Sequence, residues 1–304
     1  MSPLRRVVDI FGRVLIGAGV LLLLFTAYQI WGTAYQESRT QSGLRSQLQQ
    51  ETNNDAIRHA LAQEAALNKL PTGPPVTAPR TADPTEGQPI GDIEVPKIGI
   101  NQVVVEGTNT PDLRKGPGHY IGTPLPGQDG NAAVAGHRTT YGHPFYNLDS
   151  VRVGDPIVLT TLQGIFVYDA TNNFVVSPSD TDVIKNQFAD VLTLTTCNPR
   201  FSASTRLIVT AKLAHSQLFP NSGLRAATLH ADPKSGDLAG NSSVAPTDAV
   251  FWGFVILALG AGILYGAHRF RDRRWFIYGF GAAGIFVLLW FFFGAVSPLL
   301  PASF

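Results

Sequence analysis

The sequence predicts an all-β domain of about eight short strands, closed into a barrel and attached to one N-terminal and two C-terminal membrane helices. This prediction rests on two observations. Short runs rich in Val, Ile and Thr alternate with Gly, Pro and Asn between residues 92 and 213, and three long apolar stretches without charge lie outside that segment. Only 15% of the residues are charged, against about 25% in a typical soluble domain, and the deficit lies at the two ends.

The first apolar stretch follows Arg13 and contains no charged residue for 23 positions, up to Glu37. A helix needs about 20 apolar residues to cross the hydrocarbon core of a membrane. A cleavable signal peptide is the alternative, because Arg5 and Arg6 precede the stretch, but the stretch is too long and lacks a convincing cleavage site. We therefore expect residues 1–35 to be a cytoplasmic N-terminus followed by a retained membrane helix.

Two further apolar stretches form the C-terminal end, at 249–267 and at 275–304, where the last residues make a short outer tail. The loop between them, residues 268–274, contains four arginines. Lys and Arg in short flanking segments stay on the cytoplasmic side, so this loop and the N-terminal arginines are both expected inside. A buried core helix is the alternative for each stretch, but the arginine loop favours a multi-pass protein of the cell membrane, with the segment between the first two spans outside.

Composition divides this outer segment into three parts. Residues 36–89 are first polar, which favours a solvated stalk helix, and then rich in proline, which favours an extended, semi-rigid linker. The predicted barrel occupies residues 90–215, and residues 216–248 form a second polar linker back to the membrane. The net charge of +1 gives no electrostatic reason to expect nucleic acid as a partner.

The chain has one cysteine, Cys197, in the outer segment, where a lone thiol has no partner for an internal disulfide. Its simplest interpretation is a small buried apolar side chain. However, Cys197 closes the run VLTLTT and precedes Asn198 and Pro199, which end strand pairing. The next run begins at Arg206, and antiparallel pairing would place that guanidinium beside the thiol.

His137 follows another predicted strand and would complete a set of nucleophile, proton carrier and oxyanion donor. An imidazole and a guanidinium beside Cys197 would favour its thiolate. The residues alone leave two choices open, between His119, His137 and His143 for the proton carrier, and between Arg200 and Arg206 for the cation.

A family resemblance narrows these choices. Residues 193–197, TLTTC, resemble the T-L-x-T-C signature of the sortase family. Arg206, at the head of RLIVT, matches the catalytic arginine of that family, and His137 in AGHRTTYGHPF matches its catalytic histidine. Arg200 is then expected on the solvated face of the turn. The similarity covers about residues 92–213, is greatest to the class E sortases of actinobacteria, and implies the closed sortase-type β-barrel.

The resemblance also implies a function, that of a membrane-anchored cysteine transpeptidase. Cys197 would attack the Thr–Gly bond of an LAxTG-type sorting signal on a secreted protein, and an amine of the peptidoglycan precursor or of a pilin would release the thioester. His137 would carry the proton and Arg206 would hold the oxyanion, with Thr196 as a further oxyanion or substrate support. The two C-terminal spans depart from the commonest plan of the family and leave open a housekeeping or a pilin-type role.

Two alternative functions are a membrane cysteine protease with water as the acceptor and a non-catalytic barrel that scaffolds an envelope complex. Cys197, His137 and Arg206 together argue against the scaffold, whereas the protease differs only in its acceptor. No cofactor and no metal are expected, since spaced carboxylates such as Asp180, Asp182 and Asp190 are more often solvated than calcium ligands. The expected partners are the lipid bilayer, the sorting-signal proteins and the amine acceptor.

Overall fold

The computed structural model describes residues 3–51, 71–186, 190–219 and 246–299. The chain forms two compact units, Met1–Gly32 with Ser243–Pro301, and Thr33–Ser242 with Ala302–Phe304. The first contains the long apolar helices and the second contains the β-structure. Much of both predicted polar segments, residues 52–70 and 220–245, lies outside the described residues.

The described residues contain eight strands: β1 (Pro89–Val95), β2 (Ile100–Glu106), β3 (Gly118–His119), β4 (Asn131–Ala135), β5 (Pro156–Thr161), β6 (Gly164–Val176), β7 (Val191–Asn198) and β8 (Thr205–Leu218). They close into a barrel in the order β1-β2-β3-β4-β7-β8-β6-β5. The pairs β2/β3 and β4/β7 are parallel, and the other described pairs are antiparallel. The predicted fold class is therefore confirmed.

Alternation of side chains along each strand fills the interior of the barrel. In β7, Leu192 and Leu194 belong to the main apolar core, whereas Thr193 and Thr195 alternate with them and face the other side of the sheet. Burial of one such leucine stabilises the fold by about 1.5–3 kcal/mol. This pattern fixes the register, because a slip of one residue would place both threonines in the core.

The predicted number of strands is right, but through two differences that cancel. The sequence pattern predicts two strands in GIFVYDA and FVVSP, at residues 164–170 and 174–178. Both belong to the single strand β6, because pairing with β8 continues through a register shift between Ala170 and Asn172. β3 was not predicted, since two residues carry no periodicity. It joins the barrel by pairing with Val105 and Glu106 of β2 on one side and with β4 on the other.

The helix α2 (Thr33–Glu51) corrects the expectation of a solvated stalk. Its Leu44 packs in an apolar cluster with Val103 and Val105 of the barrel. The amide of Gln41 also donates to the carbonyl of Val103 at 2.9 Å and accepts from the N–H of the same residue at 2.7 Å. The mostly polar composition concealed this packing, because only one face of the helix is buried.

The proline-rich stretch before β1 packs on the barrel. Ala78 forms a parallel bridge with Gln128, and its N–H donates to the carbonyl of Gly127 at 2.7 Å. The N–H of Val76 donates to the Ser216 hydroxyl at 2.7 Å. The described part of the proline-rich stretch is therefore held against the barrel by hydrogen bonds of its main chain. One short helix, α3 (Thr110–Leu113), follows β2.

The first unit contains α1 (Pro3–Ala27) with the π-helical turn Tyr28–Gly32, α4 (Thr247–Arg269) and α5 (Arg274–Val296). Three described segments are long and apolar enough to cross a membrane: Phe11–Gln50, Thr247–Arg269 and Arg271–Val296. Helices α4 and α5 pack together, with the Trp252 and Phe291 rings stacked at 5.0 Å between centroids. Many of their apolar side chains are exposed, including Phe254, Leu257 and Phe280, as expected for helices that face lipid.

A buried ion pair in the barrel wall explains one of the candidate histidines. His119 Nδ1 lies 2.9 Å from the carboxylate of Glu106, and Nε2 lies 2.9 Å from both the Pro124 carbonyl and the Thr123 hydroxyl. Both ring nitrogens face acceptors, which the doubly protonated ring satisfies. Burial lowers the pKa of His119, but Glu106 and the Pro124 carbonyl outweigh burial, so the pKa lies above its ordinary value of 6.5.

We expect Glu106→Gln to lower the free energy of unfolding by about 3–5 kcal/mol at pH 6, because it leaves a buried imidazolium without its partner. The stabilisation by the pair is complete below the pKa of the unfolded histidine, about 6.5, and is lost as the pH rises through the higher pKa of the folded state. The gap between the two proteins should therefore narrow at alkaline pH. The difference in the free energy of unfolding between the wild type and Glu106→Gln is measured with the full-length proteins in detergent at pH 6 and pH 10.

The matched control is Glu94→Gln, since Glu94 is an exposed carboxylate on β1, and we expect it to change stability by no more than about 0.5 kcal/mol. A gap for Glu106→Gln that stays constant between pH 6 and pH 10 would show that His119 carries no charge in the folded protein.

Candidate active site

Strand register brings the three predicted site residues together. Parallel β4 and β7 place Ala135 opposite Thr195, so His137 and Cys197, each two residues further on, leave the sheet at the same end. Antiparallel β7 and β8 pair Cys197 directly with Arg206. Neighbouring strands lie about 4.8 Å apart. His137, Cys197 and Arg206 therefore form one row across the ends of three adjacent strands.

This row lies on the outer face of the barrel. Val134, Leu194 and Leu207 belong to the apolar core inside, and side chains alternate between the two faces of a strand. Cys197 stands three positions from Leu194 and Arg206 one position from Leu207, so both side chains project outward, and His137 follows the end of β4 at the same edge of the sheet. On this face Cys197 is partly exposed, whereas His137 and Arg206 are buried.

Packing against Phe145 and two hydrogen bonds to the main chain set the position of His137. A side chain at Gly136 would come within 2.6 Å of the Phe145 ring, which is fully buried and so cannot move away. The N–H of Phe145 donates to the carbonyl of His137 at 3.1 Å. The hydroxyl of Thr196 donates to the carbonyl of Gly136 at 2.7 Å, which ties the residue before Cys197 to the residue before His137. The single hydroxyl proton of Thr196 is thus donated to a main-chain carbonyl.

His137 is buried and uncharged. The Tyr141 ring lies 5.1 Å from the imidazole, centroid to centroid, and the Arg114 guanidinium carbon lies 5.6 Å from the Tyr141 centroid. Burial, reinforced by the positive charge of Arg114, lowers the pKa of His137 to about 4. Within the described part of the chain, Nε2 has no hydrogen-bond partner. At neutral pH the ring can therefore accept a proton.

Cys197 is partly exposed and remains a thiol at neutral pH. Burial raises the pKa of Cys197, whereas the charges of Arg206 and Arg138 lower it, and burial prevails. The expected effect of a guanidinium on the thiolate is right in direction, but the two arginines do not outweigh burial. The expected effect of the imidazole is absent, because His137 is uncharged. The resting pair is a thiol and a neutral imidazole.

Arg206 is held beside the cysteine by main-chain acceptors. Its side chain is buried, and Nη1 donates to the carbonyl of Ala203 at 2.9 Å and to that of Thr205 at 3.1 Å. These two bonds fix the guanidinium across from Cys197, where it can face charge that develops near the sulfur.

The other candidates take different places. His119 is the buried ion-pair residue described above, and His143 is exposed with a positive φ of 39°. The expectation that Arg200 is merely solvated is wrong. Its Nη2 lies 2.9 and 3.1 Å from the two carboxylate oxygens of Asp149, and its guanidinium carbon lies 4.6 Å from the centroid of the Tyr146 ring. The turn after Cys197 therefore packs against the segment that contains Tyr146 and Asp149.

Sequence reasoning missed Arg138, which directly follows His137. Its side chain is buried, and Nη1 donates to the Cys197 carbonyl at 3.1 Å and to the Asn198 side-chain oxygen at 2.7 Å. Its Nη2 lies 3.1 Å from the Asp149 carboxylate. The signal was the arginine within AGHRTTYG, but its contact with the residues around the nucleophile depends on the parallel pairing of β4 and β7.

The carboxylates considered for calcium do not form a cluster. Asp182 pairs with Lys185 at 2.6 Å on the exposed surface. Across residues 3–51, 71–186, 190–219 and 246–299, no three His, Cys, Asp or Glu side chains come together as a metal ion would require.

Comparison with known proteins identifies a family that matches the barrel region. Residues 93–214 match the family described as Sortase domain. The chain is 30% identical over 222 residues to Sortase SrtE1 of Streptomyces coelicolor, across 68% of this chain and 57% of the relative. It is 37% identical over 117 residues to Sortase D of Bacillus subtilis, across 38% and 58%. The structure of sortase E from Streptomyces avermitilis is 40% identical, across 46% of this chain and 99% of that chain, with a TM-score of 0.40.

The chain thus spans less than two thirds of the length of the two curated relatives. The matched region contains the row of His137, Cys197 and Arg206 and nearly the whole barrel. On these matches, the chain belongs to the sortase family.

Proposed function

We propose that this chain is a membrane-anchored cysteine transpeptidase, with residues 90–215 as its catalytic domain. It cleaves an LAxTG-type sorting signal between Thr and Gly and joins the new acyl group to an amine. The observation that carries the proposal is the row of Cys197, His137 and Arg206 on the outer face of the barrel. A sorting signal is a segment of a much larger protein, and such a segment can reach an outer face.

In the first half-reaction, the sulfur of Cys197 attacks the carbonyl carbon of the threonine while its proton passes to the neutral ring of His137. Arg206 faces the oxyanion of the tetrahedral intermediate and stabilises its charge. The Thr–Gly carbon–nitrogen bond then breaks, and His137 returns the proton to the leaving glycine amine. Thr196 supports this geometry through its bond to the main chain before His137.

In the second half-reaction, an amine of the peptidoglycan precursor or of a pilin attacks the thioester. His137 accepts the proton of the attacking amine, and Cys197 leaves and is protonated again. A ring with a pKa of about 4 is neutral at physiological pH and is ready for this role. Water as the acceptor would give the membrane cysteine protease instead.

The products distinguish these functions. The full-length protein in detergent is incubated with an LAxTG peptide and an amine, and the products are identified by mass. We expect a product that ends at threonine and carries the amine. A free threonine carboxylate at every amine concentration would favour the protease, and an uncleaved peptide would contradict catalysis.

For the membrane, we propose that residues 1–35 and the loop 268–274 face the cytoplasm and that the catalytic domain lies outside. The support is the excess of arginine in both segments together with the three apolar helices. Because Cys197 is the only cysteine in the chain, an impermeant maleimide should label the wild-type protein in intact cells and leave Cys197→Ala unlabelled. Labelling that appears only after the membrane is permeabilised would reverse the orientation.

A further inference from the structure

Arg138 connects the segment that contains His137 to the main chain around Cys197. One nitrogen of its guanidinium donates to the carbonyl of Cys197 itself and to the side-chain oxygen of the next residue, Asn198, at 3.1 and 2.7 Å. A second nitrogen lies 3.1 Å from the Asp149 carboxylate. The Arg138 side chain is only 3% exposed, whereas Asp149 is 40% exposed, so the guanidinium is shielded from water although its carboxylate partner is not. Hydrogen bonds from a charged donor are stronger than neutral ones.

Asp149 joins this arginine to a second one. Its carboxylate also accepts both hydrogen bonds from Arg200 Nη2, and Arg200 Nε donates to the carbonyl of Tyr146 at 3.2 Å. One carboxylate therefore holds two guanidinium groups, one from the turn after β4 and one from the turn after β7. The segment around Cys197 is fixed from both sides.

We propose that Arg138 is a positioning residue for Cys197, which holds the main chain of the nucleophile in place and supplies a second positive charge that acts on the thiol. The inference rests on the proposed function of Cys197. Arg206 cannot replace it, because Arg206 stands across the strand pair on β8 and bonds to the carbonyls of its own turn.

The charges around the thiol are few. Arg206 of β8 and Arg138 of the turn after β4 both act on Cys197 and favour its thiolate, and His137 is neutral at pH 7. Asp149 and Arg200 lie beyond Arg138. Removal of the Arg138 charge should therefore leave the thiolate with Arg206 as its main cation.

The test measures the chemical reactivity of the Cys197 thiol, independently of enzymatic turnover. The rate of alkylation of Cys197 by iodoacetamide is followed between pH 6 and pH 10 in the full-length protein in detergent, where no other cysteine interferes. The variants are R138Q, R138K and D149N, with R152Q as the matched control. Arg152 is an exposed arginine of the same region that donates to the main chain of Asp149 and Val151. kcat and KM for the LAxTG peptide are measured for the same variants.

We expect R138Q to raise the pKa of Cys197 by about one pH unit or more, so that alkylation at pH 7 slows by about tenfold, and to lower kcat with little change in KM. R138K keeps the charge but not the fork of donors, so the pKa should stay near that of the wild type while kcat falls. D149N should behave like R138K, and R152Q like the wild type.

Wild-type alkylation profiles and kcat in R138Q, R138K and D149N would overturn the proposal, as would losses that only follow the amount of folded protein. If R138Q does not fold, R138K and D149N carry the test through kcat at an unchanged pKa. Activity in Cys197→Ala would instead overturn the proposed function, whatever the Arg138 variants show.

Discussion

Replacing Cys197 by alanine should abolish both cleavage and amine transfer while the protein stays folded. Removal of a covalent nucleophile lowers kcat by as much as about 10⁶-fold. Large-to-small substitutions in a core cost about 2–5 kcal/mol, but Cys197 is the penultimate residue of β7 and is partly exposed, so the loss of one sulfur atom there should cost little stability.

Cys197→Ser should be nearly as inactive, for a reason that the structure supplies. A serine hydroxyl is a far weaker acid than a thiol, and an imidazole with a pKa of about 4 is a weak base for removing its proton. Product masses and the melting temperature of both variants check this. Loss of folding together with normal turnover in the remaining folded fraction would return Cys197 to a structural role.

Arg206→Lys should lower kcat/KM by about 10²–10³-fold although the charge is kept. Loss of one oxyanion donor typically has an effect of this size. Arg206 must bond to the carbonyls of Ala203 and Thr205 and still face the reacting carbonyl, and the single ammonium of a lysine cannot reproduce that planar arrangement. Initial rates with the LAxTG peptide measure the effect.

The control for this prediction is Arg152→Lys. Arg200→Lys is unsuitable as a silent control, because Arg200 is paired with Asp149 and an effect there would be informative. Full activity in Arg206→Lys with collapse in Arg200→Lys would mean that the wrong arginine had been assigned to the oxyanion.

The barrel was predictable because its signals are local. Runs such as VLTLTT and RLIVTAKL carry both the strand propensity and the alternation that buries Leu192 and Leu194, and the charge-free stretches need only be counted. Features set by tertiary contacts were missed. β3 is too short to show a pattern, and α2 looks solvated until Val103 and Val105 are placed against Leu44.

The site was predictable in part. Connectivity alone placed Arg206 opposite Cys197, since the two lie at facing ends of consecutive antiparallel strands. The choice of His137 over His119 and His143 came from the family resemblance, because the parallel pairing of β4 with β7 joins strands far apart in sequence. The same long-range pairing hid Arg138, whose acceptors lie 59 and 60 residues further along the chain.

The contact between Gln41 and Val103 has a consequence for solubility. β3 reaches only Val105 and Glu106 of β2, so the main-chain N–H and carbonyl of Val103 bond to a side-chain amide of α2 in place of a neighbouring strand. A chain shortened to begin at Ile90 would expose this edge together with the apolar side chains that Leu44 covers. Exposed strand edges pair with other molecules, so we expect the shortened chain to aggregate. In the full chain, α2 covers the part of the β2 edge that β3 does not reach.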